Sequence, residues 1–260
     1  MLPIILALII GLIQGLIEWL PVSSQGQLVL LMVAFLGVDP MEAVSLSVYI
    51  HLGTGLAALV YFRRDVSEIL RRETEQTRSM SLFLIVVTVA TGFIGLPIFL
   101  FVRTASIFGE ALLGLTGIAL ISTGIFERST PRHGGRTTED LSGGEALLLG
   151  VVQGFSAVPG VSRSGITTTT LLLRGFSAEN ALRISFLLSI PVVYASTIGL
   201  YVIEGTPPLG PPYLIAVVAS FLSAMLSMDL LLKVAHKVRF WSLCVILGVL
   251  ALLPLVLFRL

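Results

Sequence analysis

Long apolar runs dominate the chain, and the polar residues fall between them in clusters. Runs of near-spanning length lie at about 43–62, 82–102 and 109–126, and again at about 182–203, 212–232 and 239–258. Each predicts a membrane helix, because about 20 apolar residues cross a hydrocarbon core of ~30 Å. Two stretches break this pattern. Residues 3–20 are apolar but carry Gln14 and Glu18 and stop at Pro21, and an apolar run resumes over 24–36 after Ser23. Likewise 145–157 runs into Pro159-Gly160, and 165–173 resumes after Ser162, Arg163 and Ser164. Each piece is too short to span alone, so each pair reads as a re-entrant hairpin.

The broken stretches match each other. An offset of 139 residues places Gly11 on Gly150, Gln14 on Gln153, Gly15 on Gly154, Val22 on Val161, Ser23 on Ser162 and Gly26 on Gly165. Each half then consists of a broken pair and three spans: repeat 1 over about 1–126, a loop over about 127–144 and repeat 2 over about 145–260. Basic residues cluster in 63–78, 127–145, 174–183 and 233–239, whereas the opposite side carries Arg103 and Arg259. The positive-inside rule makes those basic loops cytoplasmic. With three true spans per half, the halves are inverted relative to each other. The expected fold is all-α and integral to the membrane, with six transmembrane helices and two re-entrant helix pairs in an inverted-topology repeat.

Composition agrees. Mean hydropathy is +1.00, and 12% of residues are charged, against about 25% in a soluble domain. One membrane domain leaves no room for a sizeable soluble one. The net charge of +1 gives no sign of nucleic acid as a partner. A single cysteine, Cys244, excludes a disulfide framework and reads as packing. Residues 1–13 lack a basic start and a cleavage site, so they read as mature protein.

Arg163 stands at or near membrane depth, where a charge is expensive and by default functional. The two re-entrant tips are expected to meet near the midplane. Each precedes a half-helix with a serine-rich first turn, Ser23-Ser24-Gln25-Gly26 and Ser162-Arg163-Ser164-Gly165. Helix N-termini present N–H groups and a positive dipole end, and the arginine fork fits phosphate oxygens. The pocket is therefore expected to take phosphate or another oxyanion. Glu18 lies one turn beyond Gln14 on the same face and is expected to hold a divalent cation or act as a general base. Some of the serines are expected to be plain N-caps. Gln153 reads equally as helix–helix glue. His51 is expected to line the cavity or bond a neighbouring helix, with a catalytic role as the alternative. Thr167 is the threonine of 167–170 nearest the pocket.

Gln14-Gly-Leu-Ile-Glu18, followed by Trp-Leu-Pro-Val-Ser23-Ser24, resembles the acidic motif of the bacitracin-resistance type undecaprenyl-diphosphatases. Pro159-Gly160-Val161-Ser162-Arg163-Ser164-Gly165-Ile166-Thr167 is similar to their second motif at every fixed position. The resemblance covers the whole chain. It implies hydrolysis of a polyprenyl diphosphate to the monophosphate and inorganic phosphate, which recycles a lipid carrier for cell-envelope glycan synthesis. It also implies a divalent cation, Mg2+ or Ca2+, and a multi-pass protein of the cell membrane with its site open to the outer face. The implied partners are the lipid and the bilayer, with a homodimer left open. Carried over, Glu18 is the catalytic or metal-coordinating carboxylate, Ser24 and Ser162 contact phosphate, and Arg163 clamps the diphosphate. Gln14, Ser23, Gln27, Gly160, Ser164, Gly165 and Thr167 complete the substrate-binding set. Many members of that family carry a histidine where this chain has Gln27, so a mechanism resting on that histidine does not transfer. Inverted repeats with broken helices are also transporter architecture, and the alternative reading is a polyprenyl-phosphate transporter or flippase using the same anion site.

Overall fold

The computed structural model describes residues 3–105, 109–129, 134–205, 210–234 and 241–257. Arg132, Lys237, Arg239, Arg259 and the side chain of Lys233 lie outside the described residues. The described chain is helical: α1 (Ile4–Ile17), α2 (Ser24–Leu30), α3 (Pro40–Tyr61), α4 (Arg63–Arg71), α5 (Glu75–Ala105), α6 (Gly109–Arg128), α7 (Gly143–Gly154), α8 (Arg163–Leu173), α9 (Ala178–Glu204), α10 (Pro211–Val234) and α11 (Trp241–Leu257). Among the described residues, four helices are long and apolar enough to cross a membrane, lying within α3, α5, α9 and α10. Phe93, Val202 and Leu226 project from three of these helices with at least three-quarters of their surface exposed. Such outward apolar faces suit lipid rather than water.

Local chemistry sets the helix starts. Asp39 Oδ1 accepts from the N–H groups of Met41 and Glu42 at 2.9 and 3.1 Å, and Pro40 opens α3, because proline costs nothing at a position whose N–H is unpaired anyway. Ser142 and Glu145 form a reciprocal capping box on α7. Ser162 caps α8 through Gly165 N at 3.1 Å. The helix α5 begins seven residues before the apolar run expected at 82. Its first turns are polar, and Thr74 caps them through Thr77 N at 3.2 Å. Residues 63–71, expected as basic loop, form α4, where Val66, Ile69 and Leu70 fall at helical spacing. Beyond Leu30 the backbone widens into a π-turn, Leu31–Phe35.

Packing pairs the helices across the chain. α1 lies on α10 and α7 on α5, while α6 packs on α11 and α3 on both α9 and α10. Small residues permit the close crossings. A Cβ on Gly11 would fall 2.8 Å from Ala219 Cβ, and one on Gly154 would fall 2.6 Å from Ile94 Cβ. Hydroxyls link the same pairs: Ser223 Oγ donates to Gly11 O at 3.4 Å, and Thr91 Oγ1 donates to Gly150 O at 3.3 Å. Gln153, the residue expected either in the pocket or as glue, donates to Thr91 Oγ1 at 3.1 Å and joins α7 to α5.

Side-chain contacts join several of the basic segments. Arg183 at the start of α9 pairs with Asp65 on α4. Arg136 pairs with Glu145 and donates to the carbonyls of Arg174 and Asp140 at 3.0 and 2.6 Å. Elsewhere, Arg103 on α5 pairs with Glu204 on α9 at 3.0 Å, and Ser45 on α3 donates to the same carboxylate oxygen at 2.6 Å.

Candidate active site

Two turns make the site. The first, residues 18–23, joins α1 to α2, and the second, residues 155–162, joins α7 to α8. They touch. Gly160 N donates to Ser23 Oγ at 3.1 Å, and Ser164 Oγ donates to Leu20 O at 2.9 Å. The approach is close enough that a Cβ on Gly26 would fall 2.6 Å from Gly160 N. Gly160 itself has φ +104, a region that glycine enters without strain. Ser23 has φ 55, which is uncommon for a residue with a side chain. Its hydroxyl accepts from Gly26 N at 3.3 Å and from Gly160 N, so both turns hold that strained backbone in place. Each tip is also tied to a distant helix. Thr123 on α6 donates to Gly160 O at 3.1 Å, and Cys244 on α11 donates Sγ–H to Pro21 O at 3.3 Å. Cys244 thus does more than pack.

Glu18 closes α1 as its C-cap and is 5% exposed. A buried carboxylate needs partners, and this one has four. Arg163 Nη2 meets Oε1 at 2.6 Å. Oε2 accepts from Gln14 Nε2 at 2.8 Å and Ser24 Oγ at 2.5 Å, and faces His51 Nε2 at 3.1 Å. Arg163 is fixed in turn: its Nη1 donates to Ser185 O at 3.0 Å. Ser185 Oγ bonds Thr167 Oγ1 at 2.9 Å, and Thr167 Oγ1 donates to Arg163 O at 2.5 Å. Behind Glu18, Trp19 is buried against Phe186 of α9 with ring centroids 5.1 Å apart.

A cavity of about 360 Å³ opens at this cluster. Glu18, Ser23, Ser24, Ser162, Arg163 and Ser164, all named from the sequence, line it, and so do Gln25 and His51. From the polar head it runs between α5 and α9 along apolar walls that include Leu96, Phe99, Val193 and Leu200. Gln14, Gly160, Gly165 and Thr167 stand behind the cavity wall as supports. Gln27 Nε2 donates to Val22 O at 2.7 Å and stiffens the first turn without lining the cavity. The sequence admits three roles for His51 and gives no sign of Ser185. The signal for His51 is an imidazole inside a span that carries no Asp, Glu, Lys or Arg, whereas Ser185 holds Arg163 through its backbone carbonyl, which no residue type announces.

The donor set does not fit a resident divalent cation. An ion held by protein alone takes most of its six or more oxygens from carboxylates and carbonyls, whereas Mg2+ is commonly held by one or two carboxylates together with substrate phosphates. Here one carboxylate stands alone with both oxygens already engaged, and among the described residues no three His, Cys, Asp or Glu side chains cluster.

A buried carboxylate–arginine–hydroxyl cluster at the head of an apolar cavity, in a chain with helices long and apolar enough to cross a membrane, marks a multi-pass membrane protein with a polar site facing an apolar groove. Residues 7–253 match the family described as bacitracin resistance protein BacA. The chain is 43% identical to the undecaprenyl-diphosphatase of Methanococcoides burtonii over 96% of this chain and 97% of that one. It is 37% identical to the undecaprenyl-diphosphatase of Haloarcula marismortui, covering 95% of each, and 36% identical to that of Methanopyrus kandleri, covering 95% and 94%. The chain belongs to the BacA family.

Proposed function

We propose that this chain is a phosphatase that hydrolyses undecaprenyl diphosphate to the monophosphate and inorganic phosphate, and so recycles the lipid carrier. One observation carries the reading: Ser24 Oγ points its proton at Glu18 Oε2 from 2.5 Å, beside Arg163, at the polar head of a long apolar cavity. A hydroxyl aligned with a base is the arrangement of an activated nucleophile. The apolar walls suit the isoprenoid tail, and the polar head suits the diphosphate.

In this reading Ser24 Oγ attacks the terminal phosphorus. Its proton passes to Glu18, the bond to the bridging oxygen breaks, and the lipid monophosphate departs. Arg163 keeps N–H groups beyond the two that hold Glu18 and Ser185, and these take the phosphoryl oxygens. Together with the first turn of α8 they stabilise charge as it develops. A divalent cation, which the resemblance implies, would supply charge to the diphosphate oxygens, and no step of this reading passes through it.

The same proposal covers the finer architecture. The six spans are α3, α5, α6, α9, α10 and α11, and α1–α2 and α7–α8 are re-entrant from opposite faces. The reciprocal pairings α1 on α10 and α7 on α5 support an inverted repeat, as do the matched ties from Ser223 to Gly11 and from Thr91 to Gly150. The basic segments face the cytoplasm, the protein lies in the cell membrane, and the cavity serves the outer face.

The test is phosphate release by purified protein from a long-chain polyprenyl diphosphate, with Ser24→Ala and Glu18→Gln alongside. Turnover by wild type and its loss in both variants is expected. A folded wild type that releases nothing with any divalent cation would overturn hydrolysis in favour of lipid transport.

A further inference from the structure

His51 has no task in the reaction just set out, yet α3 delivers it to the reacting atoms. Its Nδ1 lies 2.5 Å from Ser47 O, one turn back on the same helix. Its Nε2 lies 3.1 Å from Glu18 Oε2 and 3.4 Å from Ser24 Oγ. Both ring nitrogens therefore face oxygen acceptors, and the form that satisfies both carries a hydrogen on each. The carbonyl fixes the hydrogen on Nδ1, so the exchangeable proton is the one on Nε2, aimed at the nucleophile and its base.

Two bond cleavages follow from a serine nucleophile, and they differ in what they require. The first expels a phosphate monoester, which leaves readily as an anion. The second expels Ser24 Oγ itself, and an alkoxide leaves only when protonated. Glu18 lies beside Ser24 as a proton acceptor, but a donor is needed for the second step. We infer that His51 is that catalytic acid, donating its Nε2 proton to Ser24 Oγ as water displaces the serine from phosphorus. This rests on the serine-nucleophile reading above.

The step balances. Water forms the new O–P bond, and both its hydrogens leave with the inorganic phosphate. The P–Oγ bond breaks and its electron pair takes the proton from His51. Glu18, protonated in the first step, then returns that proton to Nε2 across 3.1 Å. The resting cluster is restored with no oxidant, cofactor or further group.

The test is His51→Gln. Its amide can still donate beside Glu18 but has no transferable proton. Expected are a burst of lipid monophosphate approaching one per enzyme, a steady rate of phosphate release lower by about 10²–10⁴-fold, and phosphoserine at Ser24 by mass spectrometry of acid-quenched protein. Ser24→Ala shows neither burst nor label. If His51→Gln turns over like wild type, or slows without burst and without phosphoserine, the inference is overturned. Should His51→Gln fail to fold, wild type quenched within its first turnover must carry the same phosphoserine, and its absence overturns the inference equally. A Ser24→Ala variant that still turns over would overturn the serine nucleophile instead, and a wild type that releases no phosphate would overturn hydrolysis itself.

Discussion

Glu18 and Arg163 stand 145 residues apart in the chain and 2.6 Å apart in space. Each belongs to a different tip, so the pair exists only when the tips are docked. The arginine spans two acceptors, Glu18 and the carbonyl of Ser185, with the two arms of its fork. Lysine cannot reproduce that fork. Arg163→Lys is expected to fold and to lose roughly 10²–10³-fold in kcat, the cost of losing an aligned donor to the developing charge. Steady-state phosphate release checks it, and wild-type turnover would show that the charge alone is sufficient.

The contact between the tips makes a second prediction. A Cβ on Gly26 has backbone at 2.6 Å, which cannot yield as a flexible side chain would. Overpacking of this kind costs about 1–3 kcal/mol. Gly26→Ala is expected to lower the melting temperature in detergent and to depress activity together, because the same displacement parts Ser23 from Gly160.

The cavity offers a contrasting test. Gly92 and Gly199 line it, and a Cβ at either would meet nothing within 4 Å. Both lie inside helices, where glycine costs about 1 kcal/mol relative to alanine. Neither packing nor backbone geometry requires them, so the space they leave suits a lipid tail. Gly199→Leu is expected to leave the melting temperature at or above that of wild type while raising KM for a long-chain diphosphate severalfold more than for a short-chain one. Equal effects on both would refute tail binding there.

A fourth prediction concerns cations. With no resident cage, EDTA is expected to leave the melting temperature unchanged in the absence of substrate. Mg2+ or Ca2+ should matter only once diphosphate is present. A large stabilisation of the substrate-free protein by either ion would reveal a site beyond Glu18.

The loop tether gives a prediction in pH. Burial alone would push the Glu145 carboxyl up, but hydrogen bonds from Arg136 and Ser142 outweigh it and hold the group below its ordinary value of 4.5. A carboxylate so depressed contributes stability above that ordinary value and loses it as pH falls through the lower, folded one. Proteolysis within residues 134–142 is therefore expected to accelerate below about pH 4.5, and Glu145→Gln should be cleaved quickly at neutral pH as well.

Much of this could be read from residues alone, for physical reasons that differ by element. The apolar runs and the two breaks at Pro21 and Pro159-Gly160 mark helices and turns through composition. The repeated glycines Gly11, Gly15, Gly150 and Gly154 mark close crossings. Arg163 and Glu18 announce themselves because burying charge is costly. Other features leave no such trace. The serines look alike in sequence, yet Ser162 caps a helix, Ser164 ties one tip to the other and Ser24 points at the base. Those assignments depend on side-chain direction, which only the docked turns determine. The helix α4 was hidden by its charge, and Gln27 by its position within the motif, although its side chain folds back on its own turn. His51 comes from a helix outside both motifs, so no local pattern could bring it to Ser24.

The mutual capping of the two turns also bears on how the chain is made. Until residues 160–164 emerge, Ser23 has no Gly160 N–H to help fix its backbone, and the carbonyl of Leu20 has no Ser164 hydroxyl to accept from. A nascent chain that has inserted only its first half carries Glu18 without Arg163. Assembly of the site is thus ordered by synthesis: the first turn is made well before its partner, and the Glu18–Arg163 pair is completed only when the second turn docks.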